Sequence, residues 1–420
     1  MTSASKLFSP IKVGDITLKH RVVLAPLTRY RNTLEHVPTD LSVEYYSQRA
    51  STPGTLLITE ATAVAARAGG YKNIPHLETA EQVEGWKKVC ILLVAEPVDD
   101  VLTYSQVTDA VHAKGSYIFA QLWSLGRAAD PEIIKEYGYD YVSASDFPLE
   151  DRPAPRPLRT EGEFGSTNIC IYQSIDNQNA STEVKEFVKL YAKAAANAIE
   201  AGFDGVEIHA ANGYLVDQFI QDVSNNRIDE YGGSIENRAR FALEIIDAIV
   251  KRLGTAKKVG IRFSPWSTFQ RMKMKDPLPT FSYLVSEIAK RHPDFAYIHV
   301  TEPRVAGGGV DRSEVTEGEG NEVLREIWGP RPFINAGGFT RDLALEATKE
   351  DGQLVAFGRH FIANPDLPLR LRADLPLNKY DRSTFYKAMS PDGYIDYPFA
   401  EGLQKALHES DKAAVAHTSL

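Results

Sequence analysis

The run Gly205-Val206-Glu207-Ile208-His209-Ala210-Ala211-Asn212-Gly213-Tyr214-Leu215 decides the fold. Val206 to Ile208 reads as a short strand, reached from a helix-like run, Glu183 to Ala201, that Gly202 stops. The apolar stretch then ends in three side chains able to donate hydrogen bonds: His209, Asn212 and Tyr214. Parallel α/β folds place their chemistry just past the C-terminal ends of strands. A neutral imidazole N–H and a carboxamide N–H converging on one point hold a carbonyl oxygen and stabilise negative charge growing there. A tyrosine hydroxyl two residues on gives a proton to a neighbouring carbon. The plainer alternative is a strand-end turn whose His and Asn cap the next helix.

Outward from this run, short apolar segments recur between longer helical patterns. They are Val22 to Ala25, Thr55 to Ile58, Tyr117 to Ala120, Val206 to Ile208, Val259 to Ile261, Tyr297 to Val300, Pro332 to Ile334 and Leu354 to Phe357. Short apolar runs without alternation suit parallel strands buried on both faces. Helical patterns such as Ser234 to Arg252 and Phe281 to Arg291 supply the crossovers. Eight such units, with no glycine-rich dinucleotide turn after the first strand, predict a (β/α)8 TIM barrel rather than a doubly wound sheet. No repeat or low-complexity segment points to a second domain, so the expectation is one domain over residues 1–420 with loop insertions.

Each expected strand end carries small or polar residues, as a site built from barrel loops requires. Pro26 and Thr28 follow strand one, Gln121 and Trp123 strand three, and Arg262 lies on strand five. Gly337 and Gly338 follow strand seven; Gly358 and Arg359 follow strand eight. Glycines and an arginine in the last two places are the usual elements of a barrel's phosphate site, where backbone N–H groups approach an anion unobstructed.

The chain has 420 residues and a formal net charge of −9. With no Lys/Arg block, this argues against nucleic acid or an anionic membrane surface as the main partner and favours small molecules. The two cysteines, Cys90 and Cys170, make no disulfide framework or metal spacing, so no metal is expected. The first residues lack the form of a signal peptide, and no apolar run approaches the roughly 20 residues that span a bilayer. A soluble cytoplasmic protein, monomeric or homodimeric, is the expectation.

Several separated motifs resemble the Old Yellow Enzyme family, particularly its fungal members. They are APLTR at Ala25 to Arg29, EYYSQRA at Glu44 to Ala50, LLITEAT at Leu56 to Thr62, GVEIHAANGYL at Gly205 to Leu215, EYGGSIENRARF at Glu230 to Phe241, TEPRV at Thr301 to Val305 and FGRHFIANPDLP at Phe357 to Pro368. The resemblance implies FMN as cofactor, NADPH as reductant, an enone or enal as substrate, and reduction of its activated C=C bond. It also implies residue roles. Pro26, Thr28, Ala61, Gln121 and Arg262 would hold the flavin ring, with Thr28 near O4, Gln121 on the pyrimidine edge and Arg262 near N1 and O2. Gly337, Gly338, Gly358 and Arg359 would hold the phosphate. His209 and Asn212 would bind the substrate carbonyl while hydride leaves flavin N5 for the β-carbon, and Tyr214 would protonate the α-carbon from the opposite face. Trp123, Tyr71, Phe269, Phe385 and Tyr386 match the aromatic walls over the flavin, with core packing the alternative for each. For Arg262 the alternative is a structural ion pair.

Two segments, near 89–106 and near 161–180, fit no spacing of that family. Glu81 to Lys88 and Val107 to Lys114 read as two halves of one amphipathic helix, parted by Val89 to Gln106 with its helix-breaking Pro97. Val89-Cys90 is encodable as GTATGT, Leu102-Thr103 as CTAACN and Gln106 as CAG, the donor, branch point and acceptor of a fungal intron in frame. Val89 to Gln106 is therefore expected to be a translated, unspliced intron, against the alternative of a genuine surface insertion. Two further readings stay open: a flavin-dependent isomerase or reductase tailoring a secondary metabolite, and a barrel inactivated by its insertions.

Overall fold

A computed structural model of the chain describes residues 5–87, 107–160, 182–307, 310–311, 315 and 317–402. Both segments singled out above lie outside the described residues. Eight parallel strands close into a barrel: β1 (Val22–Leu24), β2 (Leu56–Ile58), β3 (Tyr117–Trp123), β4 (Gly205–Ala210), β5 (Val259–Phe263), β6 (Tyr297–Thr301), β7 (Phe333–Ala336) and β8 (Gln353–Phe357). Each pairs with its neighbours in sequence, and β8 pairs with β1, so the sheet has no free edge. The helices α1 (Asp40–Arg49), α2 (Ala80–Lys87), α3 (Val107–Ala113), α4 (Glu183–Glu200), α5 (Ile235–Leu253), α6 (Leu278–Arg291), α7 (Glu322–Trp328) and α8 (Arg341–Ala347) lie in the connections, as a (β/α)8 barrel requires.

Local sequence accounts for the outer ring. On α4 the buried residues Val184, Phe187, Val188, Tyr191, Ala194, Ala195 and Ala198 make one stripe at helical spacing. The Thr182 hydroxyl accepts from the Lys185 N–H at its start. Helix α5 is capped by Ser234 and stopped by Gly254 in the left-handed region, φ 73°.

Strand boundaries differ from expectation in one consequential way. β3 runs through Gln121 to Trp123, and β4 through His209 to Ala210. His209 and Gln121 are therefore strand residues, not residues of the following turn. Polar side chains end an apolar run on paper, but here they occupy inward positions of strands that continue beneath them. Inside, Val13 and Leu18 of an N-terminal hairpin (Ile11–Val13 with Ile16–Leu18) pack with Val23, Leu56, Ile58, Phe119, Tyr297, Ile334 and Leu354. Glycine makes room for the large rings of this floor: a Cβ on Gly205 would lie 2.5 Å from the Phe119 ring, and one on Gly260 2.4 Å from that of Tyr297.

The chain beyond β8 is tied to the barrel by buried arginines. Arg29 donates to the carbonyls of Phe385 and Gly393 at 3.2 and 2.8 Å. Arg31 reaches those of Thr384, Phe385, Ser390 and Asp392, and Arg49 that of Tyr394. All three are fully buried, and Arg29 and Arg31 also lie over the Tyr394 ring.

Candidate active site

At the C-terminal ends of the strands the barrel opens into a cavity of about 860 Å³, toward the large end for a small-molecule site. Its wall includes Pro26, Thr28, Ala61, Gln121, Trp123, His209, Asn212, Tyr214, Arg262, Phe269, Gly337, Gly338, Gly358, Arg359 and Tyr386, so the residues singled out in the sequence converge on one space. Phe385 is the exception among the aromatic residues. It does not line the cavity; its ring packs against Arg29 and Tyr380 while its carbonyl accepts from the arginines.

The His209, Asn212 and Tyr214 cluster forms because β4 ends in a tight turn. Asn212 and Gly213 both take left-handed φ, 57° and 75°, which asparagine and glycine tolerate better than other residues. The Asn212 N–H donates to Ser264 Oγ at 2.7 Å, and the Gly213 N–H to Asp217 at 2.8 Å. The Tyr214 ring stands edge-on to Trp123 and His209, with centroids 4.8 and 4.9 Å apart.

Electrostatics set the protonation states. Burial, then the charge of Arg262, holds His209 well below the usual imidazole range, so it is a neutral N–H donor. Burial, then the neighbouring phenols Tyr71, Tyr30 and Tyr386, push Tyr214 well above its ordinary value and keep its proton in place. Arg262 opens on the cavity with its Nε sealed from water and unpartnered. Among the described residues no carboxylate lies within ion-pair distance of it. No aspartate or glutamate lines the cavity among the described residues, so its formal charges, Arg262 and Arg359, are positive.

These features fit FMN. The flavin's pyrimidine edge needs donors for its oxygens and an acceptor for its N3–H, and Arg262 and Gln121 are on the wall; Arg262 Nε, His209 Nδ1 and Thr301 Oγ1 are buried polar atoms with no protein partner. A dianionic phosphate needs unobstructed backbone and positive charge. Gly337 and Gly338 have φ of 116° and 59°, and a Cβ on Gly337 would meet the Val305 side chain at 2.6 Å. Arg359 follows Gly358 beside them.

Other wall residues were missed in the sequence. Tyr30, Thr301 and Tyr380 line the cavity. Tyr30 has φ of 59°, unusual for a bulky side chain, and its carbonyl accepts from the Met389 N–H. Its place directly after Thr28-Arg29 was the available signal.

A closed parallel barrel whose acid-free cavity matches a flavin ring and its phosphate defines a flavin-binding barrel oxidoreductase. The chain belongs to the NADH:flavin oxidoreductase / NADH oxidase family, whose model matches residues 6–92 and 98–378, and within it to the Old Yellow Enzyme group. It is 46% identical over 410 residues to chanoclavine-I aldehyde reductase fgaOx3 of Penicillium roqueforti, covering 96% of this chain and 99% of that one. It is 40% identical over 422 residues to a probable inactive reductase, easA, of Epichloe festucae var. lolii, covering 98% and 99%. The crystal structure of Old Yellow Enzyme from Pichia sp. AKU4542 superposes with a TM-score of 0.78 at 38% identity, covering 94% of each chain.

Proposed function

We propose that the chain is an FMN-dependent reductase of the activated C=C bond of α,β-unsaturated carbonyl compounds, with NADPH as reductant. What carries the reading is a phenol kept protonated beside a neutral imidazole and a carboxamide on one cavity wall. FMN, when bound, relays two electrons from the nicotinamide to the substrate. Gln121, Arg262, Thr28, Pro26 and Ala61 bind its ring, and Gly337, Gly338, Gly358 and Arg359 its phosphate. His209 and Asn212 orient the substrate carbonyl and stabilise charge growing on its oxygen. Tyr214 gives its hydroxyl proton to the α-carbon. Trp123, Phe269 and Tyr386 enclose the substrate and exclude water.

A relative named as a probable inactive reductase makes a flavin-free or redox-silent barrel the reading to test against. The absorbance spectrum of the purified protein, followed by anaerobic NADPH titration and a panel of enones and enals, decides. A yellow protein bleached by NADPH and re-oxidised by an enone supports the proposal. A colourless protein, or one that enones fail to re-oxidise, overturns it.

A further inference from the structure

A polar layer runs from the cavity wall into the barrel, and the proposed chemistry uses only its outermost member, Gln121. Inward positions of three strands supply it: Gln121 on β3, Glu207 on β4 and His299 on β6. The register sets Gln121 opposite Glu207, and Arg262 opposite both His209 and His299. Gln121 Nε2 donates to Glu207 Oε1 at 2.7 Å, and His299 Nδ1 lies 2.8 Å from Glu207 Oε2. Glu207 and His299 are fully buried, and neither is part of the wall.

A lone carboxylate sealed in a barrel is very unfavourable. Burial pushes Glu207 up, but His299, Arg262 and Gln121 outweigh it and hold the group below the usual carboxylate range, ionised. Burial keeps His299 below the usual imidazole range, so it serves as a neutral donor through Nδ1. The Glu207–His299 pair thus carries one negative charge.

Two consequences reach the wall. A carboxylate only accepts hydrogen bonds, so Gln121 must turn its NH2 toward Glu207 and its carbonyl away; the amide cannot flip. The other concerns Arg262. Its guanidinium is not in contact with Glu207, but the two are close enough for each to shift the other's proton affinity. Glu207 therefore reduces the positive field of Arg262 without occupying its donors.

We infer that Glu207 is a positioning residue for the cofactor: it fixes the Gln121 amide and offsets, through space, the charge of Arg262, and so sets how readily the bound flavin takes up electrons. This rests on the reading of the cavity as an FMN site. Glu207→Gln keeps shape and removes the charge, while His299→Gln keeps the charge and removes the imidazole.

The two-electron reduction equilibrium of each purified, FMN-loaded protein is measured against a reference dye at pH 7. Glu207→Gln should favour the reduced form at least tenfold, which for a two-electron couple is about 30 mV upward. His299→Gln should change the equilibrium less than threefold. An equilibrium within threefold of the unaltered protein in Glu207→Gln overturns the inference, as does a tenfold shift in His299→Gln. If Glu207→Gln does not fold, Glu207→Asp, which keeps the charge, replaces it: a change under threefold supports the inference, and a tenfold change overturns it. A colourless unaltered protein overturns the flavin reading itself and this inference with it, so the two failures are told apart.

Discussion

Tyr214 separates the two halves of the proposed reaction, because only the half that consumes the alkene needs its proton. Replacing it with phenylalanine keeps the ring that packs edge-on against Trp123 and His209 and removes only the hydroxyl. Flavin reduction by NADPH should stay near its original rate, while enone reduction falls about 10²–10⁴-fold, the typical loss for a positioned general acid. Stopped-flow measurement of each half-reaction checks this; equal slowing of both removes Tyr214 from the donor role. His209 and Asn212 are expected to grip one oxygen. His209→Ala with Asn212→Ala should retain FMN but lose phenol binding and its long-wavelength absorbance band. The two single losses should not add, since both groups serve one atom. Unchanged phenol affinity in the double variant sinks the assignment.

Among the elements, α2 and α3 carry an unusual relation. If Val89 to Gln106 is left out, Trp86, Val107, Thr108 and Val111 fall three, six, seven and ten residues after Val83, and all five are buried. That is one face of one continuous helix. Eighteen codons, 54 nucleotides, keep the frame. We expect the same at the second segment. Gly162-Glu163-Phe164 is encodable as GGTGAGTTT, containing the donor GTGAGT; Thr167-Asn168 as ACTAAC, a branch point; and Thr182-Glu183 as ACAGAG, an acceptor. Excision from within codon 162 to within codon 183 removes 63 nucleotides and leaves Thr160, Glu161 and one glutamate ahead of Val184, so that Glu161 takes the place of Thr182 at the start of α4. The described chain on either side already meets: the Val184 N–H lies 3.4 Å from the Arg159 carbonyl, and the Arg159 N–H donates to Glu183 at 2.9 Å. Transcript sequencing should show both segments absent from the predominant mRNA, and the shortened protein should give higher soluble yield and flavin occupancy. A predominant transcript retaining both, with full activity of the 420-residue chain, would refute this. The eight apolar runs made the barrel legible, because strands buried on both faces cannot hide their composition. The strand ends were not, since Gln121 and His209 are polar yet inward. Glu207 and His299 were overlooked because their partnership spans 92 residues of chain. The clue was present in Val206-Glu207-Ile208-His209, where two ionisable residues alternate along a strand and each needs a partner.

The molecule as a whole folds around neutral histidines. His20 accepts from the Val22 N–H through Nδ1 at 3.2 Å, and its Nε2 lies 3.0 Å from the Thr55 hydroxyl. Burial, with the charge of Arg372, lowers it to about 3; His36, His76, His209 and His299 are lowered as well. An unfolded imidazole takes a proton near its ordinary value of 6.5 while the folded one does not. The stability His20 contributes is therefore present above that value and is lost as pH falls toward 3. Glu60 and Asp217, both raised to about 7 chiefly by burial, act oppositely, losing stability as pH rises through that value. His112, raised by its hydrogen bond to Asp204, joins Glu60 and Asp217, and five groups against three leave a fold weakened by mild acid. His20→Asn keeps an acceptor for Val22 and should reduce the loss between pH 7 and pH 5 by about 2 kcal/mol, at roughly 1.4 kcal/mol per pH unit. Denaturant titrations at both pH values measure it, and parallel losses in the two proteins count against the account. The arginine ties beyond β8 have a different kind of consequence. Arg29, Arg31 and Arg49 grip main-chain carbonyls from Thr384 to Tyr394, and every amino acid offers the same carbonyl. The segment is fastened largely by its backbone, with the rings of Phe385 and Tyr394 packed inward, while Tyr386, 59% exposed, lines the cavity and takes no part in the arginine ties. Selection for a new substrate can thus rewrite the Tyr386 side chain without loosening the arginine ties, which makes this position a natural place for relatives to diverge in what they accept.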